Sequence, residues 1–333
     1  MKQVAIIGAG SWGTALAVMT ARAGHNVRLW SRNAAVVDSI NHERVNASYL
    51  SSTKIPETVI ATGDLKAALE NALIVLLATP SHAARETLTA MQSHLHESAI
   101  IVSVAKGIEI ETGKRISEIA KEVVTGSHPF VSLSGPSFAK EVVAGHPTAV
   151  VAASKDNGAA RAVQNDLSFD NLRIYTNADV VGTELGGSVK NVMAIAAGMT
   201  AGLGFGANSV AALITRGLAE ITRLARREGA QMETLMGLAG LGDLVLTCTG
   251  SLSRNRFVGE ELGKGRTLAA ITAELSEVAE GINTARAVKK LADRAGLEMP
   301  ITNEVNAVLY DGKPARDAVA ELMSRPLREE NPR

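Results

Sequence analysis

Two isolated charges mark where chemistry is possible. Across residues 183–215 the only charged side chains are Glu184 and Lys190, and at helical spacing Lys190 neighbours Gly186, Gly187, Met193 and Ala194. A lysine on so close-packed a face is turned from water, and burial lowers an ammonium pKa toward the range useful for proton transfer. The plainer reading is a solvated surface lysine, since lysine is rarely buried without a partner. A partner is on offer in Asp243, the only charge between Glu233 and Arg254. Asp243 reads either as counter-ion to Lys190 or as a helix N-cap after the glycine-rich run 237–242.

Other residues are of types that hold anions. Ser251-Leu252-Ser253-Arg254-Asn255-Arg256 combines a capping residue, guanidinium groups and an amide, the parts of a phosphate cradle. Lys106-Gly107 follows an expected strand at 100–104, and Gly135-Pro136-Ser137 follows another at 130–133. Ligands of open parallel sheets bind at such strand ends. Gly8-Ala9-Gly10-Ser11-Trp12-Gly13 is G-x-G-x-x-G between an apolar strand at 4–7 and a helix at 14–23, the context a dinucleotide fingerprint requires. Gly8 permits the turn, Gly10 admits a pyrophosphate, Gly13 lets helix and strand pack, and the amides of Ser11 and Trp12 face phosphate oxygens at the helix N-terminus.

The end of the second strand selects the dinucleotide. NAD sites place a carboxylate there, whereas this chain has Trp30-Ser31-Arg32-Asn33. With no carboxylate to repel a 2′-phosphate and Arg32 able to pair with it, NADPH is expected to be accepted and preferred, with NADH possible.

These residues need elements to position them. The 333 residues suggest about two domains. Strands are expected at 4–7, 27–30, 73–78, 100–104, 130–133, 148–152 and 172–175, alternating with helices as βα units do. The predicted fold class is α/β, a doubly wound sheet at 1–178 followed by an all-helical part at 179–333, its tail 325–333 disordered. Lysine plus arginine equals aspartate plus glutamate, 34 each, and there are only five Phe, three Tyr and two Trp. A nucleic-acid partner is therefore not expected. The uncharged runs 4–21 and 191–215 imitate a signal peptide and a membrane span, but glycines punctuate both. The second is read as two helices of a buried hairpin. One cysteine, Cys248, fits a reducing compartment, and the location is expected to be cytoplasmic.

Taken together, the motifs resemble bacterial NAD(P)-dependent glycerol-3-phosphate dehydrogenase over nearly the whole chain. The match rests on residues 8–13, Val104-Ala105-Lys106-Gly107-Ile108-Glu109, Leu133-Ser134-Gly135-Pro136-Ser137-Phe138-Ala139 and Glu184-Leu185-Gly186-Gly187-Ser188-Val189-Lys190-Asn191. It continues through Gly240-Leu241-Gly242-Asp243-Leu244, Ser253-Arg254-Asn255 and Val278-Ala279-Glu280-Gly281. The resemblance implies reduction of dihydroxyacetone phosphate to sn-glycerol 3-phosphate, for phospholipid synthesis, with no metal and no membrane span, and it leaves a homodimer open. It implies that Lys190 carries the proton while Lys106 and Asp243 line the reacting carbonyl. It gives Gly135, Ser137, Ser253, Arg254 and Asn255 to the substrate, and Ser11, Trp12, Arg32, Lys106, Ala139, Arg254, Val278 and Glu280 to the cofactor.

Two rivals are weaker. β-Hydroxyacid and 6-phosphogluconate dehydrogenases tend to carry Asn four residues after their lysine, where this chain has Ala194, its Asn191 being adjacent instead. A non-catalytic NADPH-binding redox sensor would need no inward lysine and aspartate.

Overall fold

The computed structural model describes residues 1–275, 277–327 and 329–330. Eight strands form one sheet: β1 (Gln3–Ile7), β2 (Asn26–Trp30), β3 (Val59–Thr62), β4 (Ile74–Leu77), β5 (Ile100–Ser103), β6 (Phe130–Ser134), β7 (Thr148–Ala153) and β8 (Leu172–Asn177). Their order is β3-β2-β1-β4-β5-β6-β7-β8, parallel throughout except for the antiparallel pair β6 and β7. The central strands are continuous apolar runs because both faces are covered. Val4, Ile6 and Leu76 enter the core on one face, while Ala5, Ile7, Val75 and Leu77 enter the core on the other.

The sequence reading misses β3. This edge strand has four residues and pairs only with β2, and it leaves Ile60 exposed while burying Val59 and Ala61. So short an alternation, with an apolar residue on the wet side, carries little periodic signal. The fingerprint helix starts earlier than expected, at Ser11–Arg22. Gly8 has φ +121, where a Cβ would stand 2.7 Å from the Ala78 carbonyl oxygen, so both backbone and space exclude a side chain. The turn thereby brings β1 against the end of β4.

After β8 every regular element among the described residues is helical. Helix Val180–Gly202 is buried on nearly every side, as a helix apolar all round must be. Helices Ala207–Arg227, Asp243–Thr249, Arg254–Gly263, Glu280–Ala295 and Pro300–Tyr310 surround it. The expected hairpin exists, but only its first helix is buried. Helix Ala207–Arg227 buries one stripe, Gly217, Glu220, Ile221, Leu224 and Ala225, while Asn208, Ser209, Ala211 and Ala212 are exposed. No described helix is long and apolar enough to cross a membrane. Of the expected tail, Arg325 pairs with Glu298, and residues 328 and 331–333 lie outside the described residues.

Helix Val180–Gly202 also packs on the sheet. A Cβ on Gly187 would stand 2.5 Å from the Ser134 hydroxyl at the end of β6, and one on Gly186 would stand 2.6 Å from the Ala239 carbonyl oxygen in the helical turn Leu238–Gly242. One turn later the helix presents Lys190 at the end of β6. Buried Glu184 ties the same helix to helix Ile116–Val123, accepting from the Ser117 amide at 2.8 Å, the Ser117 hydroxyl at 2.5 Å and Arg115 at 3.0 Å.

Candidate active site

A cleft of about 580 Å³ runs over the C-terminal ends of the strands and under the helices. Gly8, Gly10, Ser11, Trp12, Gly13 and Arg32 line one end, and Lys106, Ser137, Lys190, Ser253, Arg254, Asn255, Val278 and Glu280 line the rest. A Cβ on Gly10 would meet nothing within 4 Å, so bare backbone faces open cleft at the start of helix Ser11–Arg22. The first amides of that helix have no partner within it. Exposed backbone, free helix-terminal amides and an elongated cleft fit the pyrophosphate of a dinucleotide. Arg32 is exposed at the adenosine end, with no ion-pair partner among the described residues.

At the other end two lysines share one carboxylate. Lys190 Nζ lies 2.5 Å from Asp243 Oδ1 and donates to Thr247 Oγ1 at 2.6 Å. Lys106 Nζ lies 2.8 Å from Asp243 Oδ2 and donates to the Gly135 carbonyl at 2.9 Å. The side chains of Lys190 and Asp243 are 7% and 1% exposed, against 19% for Lys106, so Lys106 sits nearer the open cleft. Of the two readings of Asp243, the counter-ion holds. It is the first residue of helix Asp243–Thr249, but both carboxylate oxygens go to lysines rather than to helix amides.

Burial lowers the Lys190 pKa to about 8, the Lys106 charge pushes the same way, and Asp243 opposes both. Two ammonium groups against one carboxylate leave one net positive charge facing the cleft. That is suited to an oxygen that gains negative charge. Cys248 beside them is a buried small hydrophobe, its thiol pushed up to about 12 by burial. It is no nucleophile.

The anion-holding segment is partly spent on structure. The Ser253 hydroxyl caps helix Arg254–Gly263 by accepting from the Arg256 amide at 3.2 Å. Asn255 donates to Asn191 Oδ1 at 3.0 Å and accepts from the Gly281 amide at 2.9 Å, while Asn191 donates to the Lys106 carbonyl at 3.3 Å. These amides clamp the Lys106 loop to the lysine helix. Arg256 pairs with Glu260, and Arg254 reaches Glu277.

Three of the expected site residues do not line the cleft: Gly135 and Asp243 lie behind Lys106, and Ala139 packs on the sheet core at the start of helix Ala139–Val143. Gly135 has φ +143, and a Cβ there would stand 2.9 Å from Val150 Cα, so this position demands glycine for backbone reasons. Among the described residues no three His, Cys, Asp or Glu could together hold a metal.

Sequence reasoning left Thr247, Asn191, Glu277 and Ser81 without a role. Thr247 was discoverable, four residues after Asp243 and so on the same helix face. Tyr49, Thr79, Pro80 and Glu277 enter the cleft only through the chain's path.

A dinucleotide cradle at the ends of a parallel sheet, closed by helices that bury a lysine and an aspartate, defines the class of Rossmann-type nicotinamide-dependent dehydrogenases. Family models described as the N-terminus and the C-terminus of NAD-dependent glycerol-3-phosphate dehydrogenase match residues 3–160 and 179–320. The chain belongs to the NAD-dependent glycerol-3-phosphate dehydrogenase family. It is 54% identical over 330 residues to the NAD(P)+ glycerol-3-phosphate dehydrogenase of Koribacter versatilis, covering 98% of each chain. The enzyme of that name from Myxococcus xanthus is 51% identical, with 96% of each chain covered. The crystal structure of glycerol-3-phosphate dehydrogenase from Coxiella burnetii superposes with a TM-score of 0.94 at 42% identity, over 97% of this chain and 99% of that one.

Proposed function

We propose that this chain reduces dihydroxyacetone phosphate to sn-glycerol 3-phosphate with NADPH or NADH, reversibly, in the cytoplasm, and so supplies the backbone of glycerophospholipids. The observation that carries the reading is Asp243 held between Lys190 and Lys106 at the end of the dinucleotide cleft. Relatives of about half identity bear the name of that activity. The division at 178/179 belongs to the same reading, with cofactor held by the sheet and substrate by the helices.

When bound, the reduced nicotinamide supplies a hydride to C2 of the substrate. Everything else falls to side chains. As the carbonyl oxygen gains charge, Lys106 and Lys190 stabilise it, and the proton on Lys190 Nζ passes to that oxygen, leaving a neutral amine that water reprotonates. Asp243 orients both ammonium groups and keeps Lys190 protonated more than burial alone would allow. Arg254, with Ser253 and Asn255 at the helix start, meets the phosphate, Ser137 borders the substrate with Gly135 holding Lys106 behind it, and Val278 and Glu280 border the cofactor. Arg32, exposed where a carboxylate would signal NAD, favours NADPH.

The test is loss of reduced-nicotinamide absorbance with purified protein, NADPH and a panel of phosphorylated ketones and keto acids. Turnover with dihydroxyacetone phosphate above all others is expected. NADPH binding with no turnover would favour the redox-sensor reading.

A further inference from the structure

Two carboxylates reach over the cleft, Glu277 from the segment that leads into helix Glu280–Ala295 and Glu280 from that helix's first position. Glu280 accepts from the Ser81 amide at 2.8 Å and its hydroxyl at 2.5 Å, fastening the segment to the chain beyond β4. Glu277 crosses further. Its Oε1 accepts from the Ser11 hydroxyl and its Oε2 from Arg254 Nη1 at 2.7 Å. Ser11, Arg254 and Glu277 all line the one cleft, and the Glu277 side chain is 20% exposed.

Ser11 opens the helix that follows the glycine turn, and Arg254 opens the helix that faces it. Both are donors of the kind that seats a diphosphate. A carboxylate bridging them presents two anionic oxygens where phosphate oxygens would come. The two cannot share the donors without like-charge repulsion at short range.

We propose that Glu277 is an internal competitor for the diphosphate seat, a residue that sets coenzyme affinity by occupying Ser11 and Arg254 until the dinucleotide displaces it. The proposal rests on the dinucleotide reading of the cleft. Its consequence is a coenzyme bound less tightly than these donors permit, and released faster, because the returning carboxylate satisfies them.

The experiment titrates NADPH by its fluorescence against the unaltered full chain, Glu277→Gln and Glu277→Ala, with release rates from stopped flow. Glu277→Gln keeps the shape and removes the charge, and Glu277→Ala removes both. In both variants Kd is expected to fall about five- to tenfold, through slower release, as one charge-assisted competitor is lost. An unchanged or raised Kd in both variants would overturn the competition while leaving the cleft a dinucleotide site. No NADPH binding by the unaltered chain would overturn the dinucleotide reading and the competition with it.

Discussion

At the scale of single residues, the site turns on how an ammonium can be buried and still useful. Lys190 is shifted down to about 8 by burial, so it both holds and yields a proton near neutral pH. Lys190→Ala should lower kcat about 10²- to 10⁴-fold, the usual weight of a positioned acid, with NADPH binding retained by fluorescence titration; near-normal turnover would remove Lys190 from the chemistry. Reduction needs the ammonium and oxidation the amine. The kcat/KM for dihydroxyacetone phosphate should therefore be level below about pH 8 and fall above it, while the reverse reaction rises through the same range. Initial rates in both directions across pH would show the opposed limbs, and parallel limbs would contradict the assignment. Arg32 acts at the other end of the cleft. Arg32→Ala should lower the ratio of kcat/KM with NADPH to that with NADH about tenfold or more, the worth of a charge-assisted contact to phosphate. An unchanged ratio would assign the preference elsewhere.

At the scale of elements, glycines set how close the lysine helix comes to its neighbours. Gly198 and Gly202 of that helix face Gly259 and Gly263 of helix Arg254–Gly263, where any Cβ would run into backbone of the opposite helix. This contact seats Arg254 and Asn255 at the cleft, because the helix they open is pressed against the one that bears Lys190. Gly259→Val should force the helices apart at a cost of about 3 kcal/mol or more, since overpacking against backbone leaves no rotamer escape. Urea denaturation would measure the loss. The KM for the phosphorylated substrate and the Kd for NADPH should both rise, since Arg254 opens the displaced helix; a variant of unchanged stability would mean that the crossing is looser than the glycine spacing implies.

At the scale of the whole molecule, the sheet and the helices must hold Lys106 and Lys190 on one carboxylate although the loop of one and the helix of the other belong to different halves. Glu184 spans that boundary by capping helix Ile116–Val123, which follows the Lys106 loop, from the helix that carries Lys190. Glu184→Ala would leave the Ser117 amide without its carboxylate and Arg115 with only the more exposed Glu118 as counter-ion. Destabilisation of about 1–3 kcal/mol is expected from loss of the charge-assisted hydrogen bonds to Ser117 and Arg115, read by urea midpoint. Saturating NADPH should recover part of it by mass action, since the ligand binds the folded state. A midpoint that moves by less than the error would show that the halves are joined without this clamp.

The sequence by itself determined what depends on neighbours along the chain. Seven strands, the glycine turn and the switch to helices after residue 178 follow from local periodicity and residue type, whereas Lys190 stays open between an inward and a solvated lysine until packing buries it. The tertiary structure decided what depends on register between elements far apart in the chain. Asp243 lies 53 residues from Lys190 and 137 from Lys106. Only the crossing of helices over the ends of the sheet made it the counter-ion of both rather than a helix cap. The same crossing brought Thr247 to the lysine and set Glu277 on Ser11, and the path of the chain packed the partly buried Ala139 against the core rather than into the cleft. Local pattern fixes which face of an element is apolar, whereas the pairing of buried charges depends on packing that no single segment encodes.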